Sequence, residues 1–192
     1  MTRHMVDGRA MPDHVAGHRA LEFCNTKALW GRAVESEYLT DHTAAVIWSR
    51  EHRLISTAEA RQLRTVSPAQ GRATLGQLRT LRAALYYAAT DSQPLDIVRG
   101  YVARAVSRSQ YRTDGKVQRL HVPYSATVLT DRIALEIHRL LEEYGTSAVG
   151  LCASDACGWV FLDPSHRRRW CTMAVCGNRA KPRRYAVRTR SA

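Results

Sequence analysis

Cys152-Ala153-Ser154-Asp155-Ala156-Cys157 and, after thirteen further residues, Cys171-Thr172-Met173-Ala174-Val175-Cys176 hold four of the chain's five cysteines. Two close cysteine pairs separated by a short segment supply what a tetrahedral zinc ion takes, two thiolates from each pair at about 2.3 Å from the metal. Four thiolates fill the coordination sphere and leave no position for a substrate or an activated water. The spacing therefore predicts one structural Zn2+ per chain, held by Cys152, Cys157, Cys171 and Cys176. Two disulfides in a secreted protein are the alternative. They fit less well, because residues 1–12 lack the apolar stretch of an export signal and Cys24 stands far from the other four.

The charge around these cysteines narrows the partner class. Residues 146–192 carry nine Lys/Arg against two acids, which is +7 of the chain's +12. A basic, metal-nucleated segment has the electrostatic footprint of a nucleic-acid binder. No apolar run approaches the ~20 residues needed to span a bilayer, and a cytoplasmic protein is expected.

The motifs inside and ahead of this segment resemble a known family. Cys176-Gly177-Asn178-Arg179 spells C-G-N-R and follows Arg168-Arg169-Trp170-Cys171-Thr172-Met173. Upstream lies Cys157-Gly158-Trp159-Val160-Phe161-Leu162-Asp163, and downstream Arg179-Ala180-Lys181-Pro182-Arg183-Arg184. Near the other end stands Gly17-His18-Arg19-Ala20-Leu21-Glu22-Phe23-Cys24-Asn25-Thr26. Together these are similar to the CGNR zinc-finger family of bacterial stress-related transcription regulators, with its N-terminal helical ABATE domain. Glu22 stands where the family motif has Asp, and the loop 163–167 is shorter than usual. The resemblance implies a helical regulatory or ligand-binding domain over residues 14–145, a CGNR-type finger over 148–190, and double-stranded DNA as partner. An enzyme is not expected, because residues 1–145 assemble no recognisable acid–base pair or nucleophile.

Patterning agrees with a mainly α chain bearing one small β-hairpin. Residues 1–13, polar with Gly8 and Pro12, read as a loose leader. Helices are expected over 19–26 and 43–52. Ser56-Thr57-Ala58-Glu59 is a capping box that starts a third helix running to about Val66, and Ser67-Pro68 starts the longest, to Thr90. Along that helix Leu75, Leu78, Leu81 and Leu85 form a core stripe, whereas Arg72, Arg79 and Arg82 are spaced for its solvated side. A further helix covers 95–107. Residues 110–122 alternate about Asp114-Gly115, a hairpin signal. Thr130 or Asp131 is expected to cap a last helix that Gly145 ends. No phosphate loop, nucleophile elbow or acid–base pair is visible in residues 1–145.

Roles within the finger follow from chemistry. Arg168, Arg169, Lys181, Arg183, Arg184 and Arg188 suit phosphates, which position a protein without reading sequence. Asn178 suits adenine and Arg179 guanine, or both brace the zinc knuckle. Trp159, Phe161 and Trp170 are expected in a small core beside the metal, with base stacking as the other reading. Gly177 is expected to permit a tight backbone approach at the knuckle. Glu22, Asn25 and Thr26 either line a small-molecule pocket or brace the first helix. An RNA-binding zinc protein and a protein–protein adaptor are the competing functions. A homodimer and the existence of a ligand stay open.

Overall fold

A computed structural model describes residues 2–179 of the chain. In order these form β1 (Arg3–Val6), β2 (Arg9–Pro12), α1 (Arg19–Cys24), β3 (Lys27–Ala28), β4 (Ser36–Glu37), α2 (His42–Glu51), α3 (Thr57–Leu63), α4 (Pro68–Thr90) and α5 (Asp96–Ser107). There follow β5 (Gln110–Asp114), β6 (Val117–His121), α6 (Val128–Glu143), β7 (Val149–Leu151), β8 (Val160–Leu162) and a π-helix over Met173–Gly177. The fold is mostly helical, as patterning predicts, but among the described residues it holds four two-stranded antiparallel hairpins instead of one.

The chain divides into two compact units, Leu39–Thr146 and the described residues of Met1–Tyr38 with Ser147–Ala192. The first is the helical unit. Leu75, Leu78, Leu81 and Leu85 of α4 pack with Val98 and Ala105 of α5 and with Ile133, Ile137 and Leu140 of α6, all buried. Each such aliphatic side chain removed from water contributes about 1.5–3 kcal/mol. Both serine caps form as read. Ser56 Oγ accepts the Glu59 N–H while Glu59 reaches back to the Ser56 N–H at 2.7 Å, and Ser67 does the same with Gln70. Arg132 of α6 donates to Glu59 at 2.6 Å, to Leu54 O at 2.8 Å and to Val122 O at 2.9 Å. These hydrogen bonds from Arg132 outweigh burial and hold the Glu59 carboxyl at about 2.

Three local expectations are corrected. Residues 3–12 are a hairpin with the register Arg3↔Pro12 to Val6↔Arg9, turned at Asp7 and Gly8, both at positive φ. Helix α6 begins at Val128, one turn before the expected cap. Asp131 is buried inside it and receives Arg108 at 3.1 Å and the Thr127 hydroxyl at 2.6 Å. Of the arginine row on α4, Arg72 is exposed, but Arg82 is 2% exposed and Arg79 donates to Leu39 O at 2.7 Å. The Arg79 head thus finds a backbone carbonyl while its long stem covers apolar surface.

Candidate metal centre and basic finger

In the second unit, β7 and β8 pair from Val149↔Leu162 to Leu151↔Val160. Cys152 follows β7 and extends the ladder, its N–H reaching Trp159 O at 2.9 Å. A turn closed by Cys157 N–H to Ser154 O, also 2.9 Å, brings Cys157 back beside it. Gly158 then takes φ +73°, a conformation that costs glycine little because it has no Cβ. Cys171 and Cys176 arrive from the far end of the spacer. Ala153 N–H donates to Arg169 O at 3.1 Å, which ties the two halves together. The π-helix lifts Cys176, whose N–H reaches Thr172 O at 3.1 Å, toward the first pair.

The four sulfurs lie within 4.8 Å of one another, and all four residues are buried. Cys157 and Cys171 stand 3.7 Å apart, and Cys171 and Cys176 stand 3.6 Å apart. The edge of a tetrahedron with Zn–S bonds of about 2.3 Å is about 3.8 Å, whereas a disulfide would bring the sulfurs to about 2.05 Å. The spacing is that of ligands sharing one metal. The electrostatics agree. Hydrogen bonds from Cys157 and Cys171 pull the Cys152 thiol far down. Bonding to Cys152, together with burial and that adjacent charge, then pushes Cys171 up and Cys157 to about 12. Thiolates this close repel, and a divalent cation removes the conflict by binding all four. Donor set and spacing fit one structural Zn2+, which closes the knuckle when bound.

Around the sulfurs, Trp159 and Phe161 are fully buried with Ala28, while Val15, Tyr38, Trp170 and Val175 pack at the edge. The finger's aromatics therefore form its core. Gly150 is small for that reason, since a Cβ there would fall 2.4 Å from the Phe161 ring. At Gly177 an added Cβ would fall 2.8 Å from the Met173 sulfur, so the missing side chain makes room for that thioether.

The opening motif binds this core directly. Asn25 is fully buried and pairs with Val160 of β8 through both amide atoms, accepting its N–H at 2.9 Å and donating to its carbonyl at 3.0 Å. Leu162 N–H reaches Ala16 O at 2.7 Å. Residues 16–25 thus close the free edge of the two-stranded sheet. Glu22 folds over the N–H groups of Val15, Ala16 and Gly17, the shortest at 2.7 Å. Burial raises its carboxyl against those bonds. His18 caps α1, and Thr26 donates to Phe23 O at 2.6 Å. Of the two roles considered for Glu22, Asn25 and Thr26, their contacts are those of bracing residues.

The basic residues separate by environment. Asp163 is buried, yet hydrogen bonds from the Arg168 and Arg167 N–H groups outweigh that burial and hold its carboxyl below the usual range. The loop 163–168 is thereby folded around it. Arg168 is exposed, but its guanidinium is tied down, donating to Val15 O at 3.1 Å and Cys171 O at 2.8 Å and lying 4.3 Å from the Phe161 ring centroid. Arg169 is exposed and lies over Trp170 at 5.2 Å. A cavity of about 390 Å3 runs along Arg167–Met173. Asn178 donates to Ala174 O at 3.1 Å, bracing the π-helix, and Arg179 is exposed. His166 is exposed outside the sulfur cluster. The expected contacts at Lys181, Arg183, Arg184 and Arg188 lie outside the described residues.

A buried four-cysteine knuckle on a mostly helical chain defines a zinc-finger protein, and comparison with known families makes this specific. The chain belongs to the ABATE family, described as "Putative stress-induced transcription regulator", which matches residues 17–157. The CGNR zinc finger matches residues 149–189. This is a regulator family and not an enzyme family. No curated protein matches the chain. Among the described residues no helix is long and apolar enough to cross a membrane.

Proposed function

We propose that the chain is a zinc-dependent, DNA-binding transcription regulator, working in the cytoplasm, in which the finger of residues 148–190 contacts duplex DNA. The observation that carries this reading is the exposed basic ridge built on the zinc knuckle. Arg167, Arg168 and Arg169 are exposed, Arg168 being held by the Cys171 carbonyl, and exposed Arg179 lies three residues after the last cysteine. Metal and Asp163 hold that ridge in place, so its cations meet phosphates with little ordering cost. In sequence, Lys181, Arg183, Arg184 and Arg188 add further positive charge after Cys176. Arg168 acts through its carbonyl contacts, positioning its neighbours. Regulation or assembly falls to the helical domain of residues 14–145, on the family description alone.

Zinc-loaded protein should bind duplex DNA with an affinity that falls steeply with salt, since each neutralised phosphate contributes about −0.9 to the log–log slope. Six contacts give a slope near about −5. A slope near zero in a zinc-loaded, folded sample would refute the reading, and binding that survives only with RNA would favour an RNA partner instead.

A further inference from the structure

The first hairpin of the chain gathers a second set of metal-ligating side chains, apart from the cysteines. His4 lies on β1, whereas Asp13 and His14 directly follow β2. Arg3 stands opposite Pro12, and the Asp13 N–H reaches Thr2 O at 3.3 Å, so the antiparallel run continues one step past the strands. Asp13 therefore falls diagonally across from His4 on one face, beside Met11, the buried partner of His4. His4 Nδ1 and Asp13 Oδ1 are 3.0 Å apart, and each side chain is 36% accessible. The His14 ring meets that of His4 edge to face, with centroids 5.5 Å apart, and a nitrogen of each ring lies within 4.8 Å of the other. Stability does not account for this grouping, because an ion pair open to water contributes little.

We propose that His4, Asp13 and His14 form a second metal site, taking an exchangeable divalent transition ion of the Ni2+ and Cu2+ class. It is independent of the zinc knuckle and of the DNA reading. Two ligands at right angles, each about 2.1 Å from an ion, stand about 3.0 Å apart, against about 3.4 Å for a tetrahedral pair. The His4–Asp13 spacing is thus that of neighbouring ligands in a square or octahedral shell. Imidazole nitrogen with carboxylate oxygen is the donor set such ions take in those shells. Ring nitrogens on opposite sides of one ion stand about 4.2 Å apart, so a small turn of the exposed His14 ring completes the set. Water fills the remaining positions. A proton on His4 Nδ1 is the ion's competitor for Asp13, and binding displaces it, leaving the neutral Nε2–H ring as ligand. The ion ties β1 to His14, two residues before Ala16, whose carbonyl receives the Leu162 N–H of β8.

The test dialyses untagged, zinc-loaded protein against Ni2+ and counts both metals by atomic emission. Wild type should keep its zinc and gain one nickel. Losing a ligand in His14→Ala or Asp13→Asn should weaken nickel binding at least about ten-fold, with the zinc retained. His166→Ala removes another exposed histidine and should change nothing. No nickel uptake by wild type would overturn the site, as would equal uptake by wild type and His14→Ala, or an equal loss in His166→Ala. Nickel gained only as zinc is lost would overturn it too, because the ion has then gone to the thiolates. Should a variant lose its fold, wild type alone decides. Substoichiometric Ni2+ should broaden the ring-proton resonances of His4 and His14 first among the eight histidines, and broadening that starts at another histidine would refute the proposal.

Discussion

Replacing Asn25 by alanine removes one small polar side chain, yet the structure predicts a loss out of proportion to its size. The amide is fully buried and makes two hydrogen bonds, 2.9 and 3.0 Å, to the N–H and carbonyl of Val160. Val160 is itself fully buried, so no water replaces the lost partner. Each buried backbone group left without a partner costs about 1–3 kcal/mol, and two of them about 2–6 kcal/mol. Taking about 3 kcal/mol and about 2–4 °C per kcal/mol for a chain of this size, Tm should fall by about 6–12 °C. Because Val160 directly follows Trp159 and lies three residues from Cys157, the loss should also appear at the metal. Zinc transfer to a chromogenic chelator should be faster from the variant than from wild type. Asn25→Asp should not rescue, since a carboxylate keeps the acceptor but points a second oxygen at Val160 O. The assay is differential scanning fluorimetry paired with the chelator time course. A Tm within about 1 °C of wild type with unchanged zinc release would refute the claim that the opening motif holds the finger.

Three further outcomes follow from the same contacts. Glu59 titrates at about 2 in the folded chain against an ordinary value near 4.5, so its ion pair with Arg132 stabilises above that ordinary value and is lost as pH falls toward 2. Allowing for solvent screening of a partly exposed pair, Glu59→Gln should cost about 1–2 kcal/mol at pH 7, with the gap to wild type closing by pH 2.5 in urea titrations. Arg168→Ala should lower Tm by loosening the knuckle, whereas Arg169→Ala should leave Tm unchanged and weaken DNA binding. Equal Tm values for the two would contradict the distinction. Removing zinc with a strong chelator should abolish near-ultraviolet signal from Trp159 while leaving most far-ultraviolet helical signal. Because the ligands must be deprotonated, zinc retention should fail as pH drops.

Much of this was legible before any coordinates. The cysteine spacing, the two serine caps, the Pro68–Thr90 helix and the Asp114-Gly115 turn all depend on contacts a few residues apart, and sequence records such contacts locally. Asp7-Gly8 carries the same turn signal, but Met5 and Val6 break a clean alternation and the strands are four residues each, so the hairpin hid. Arg82 was misread because an arginine's burial depends on the tertiary fold, which no local spacing records, and the contact of Arg168 with Val15 O arises in the same way. The Asn25–Val160 pair spans 135 residues, and no spacing rule reaches that far. The available hint was that family likeness gathered at both ends of the chain, as it does where two distant segments share one core.

The most direct test of the account joins metal content to DNA binding in a single preparation. Zinc per chain is measured by atomic emission, and the affinity for duplex DNA is followed across salt for wild type and Cys171→Ser. The account predicts one zinc per wild-type chain, a slope near about −5, and loss of both zinc and affinity in the variant. One zinc per chain with no DNA affinity at low salt would contradict it, leaving the knuckle as a brace for the opening motif and nothing more.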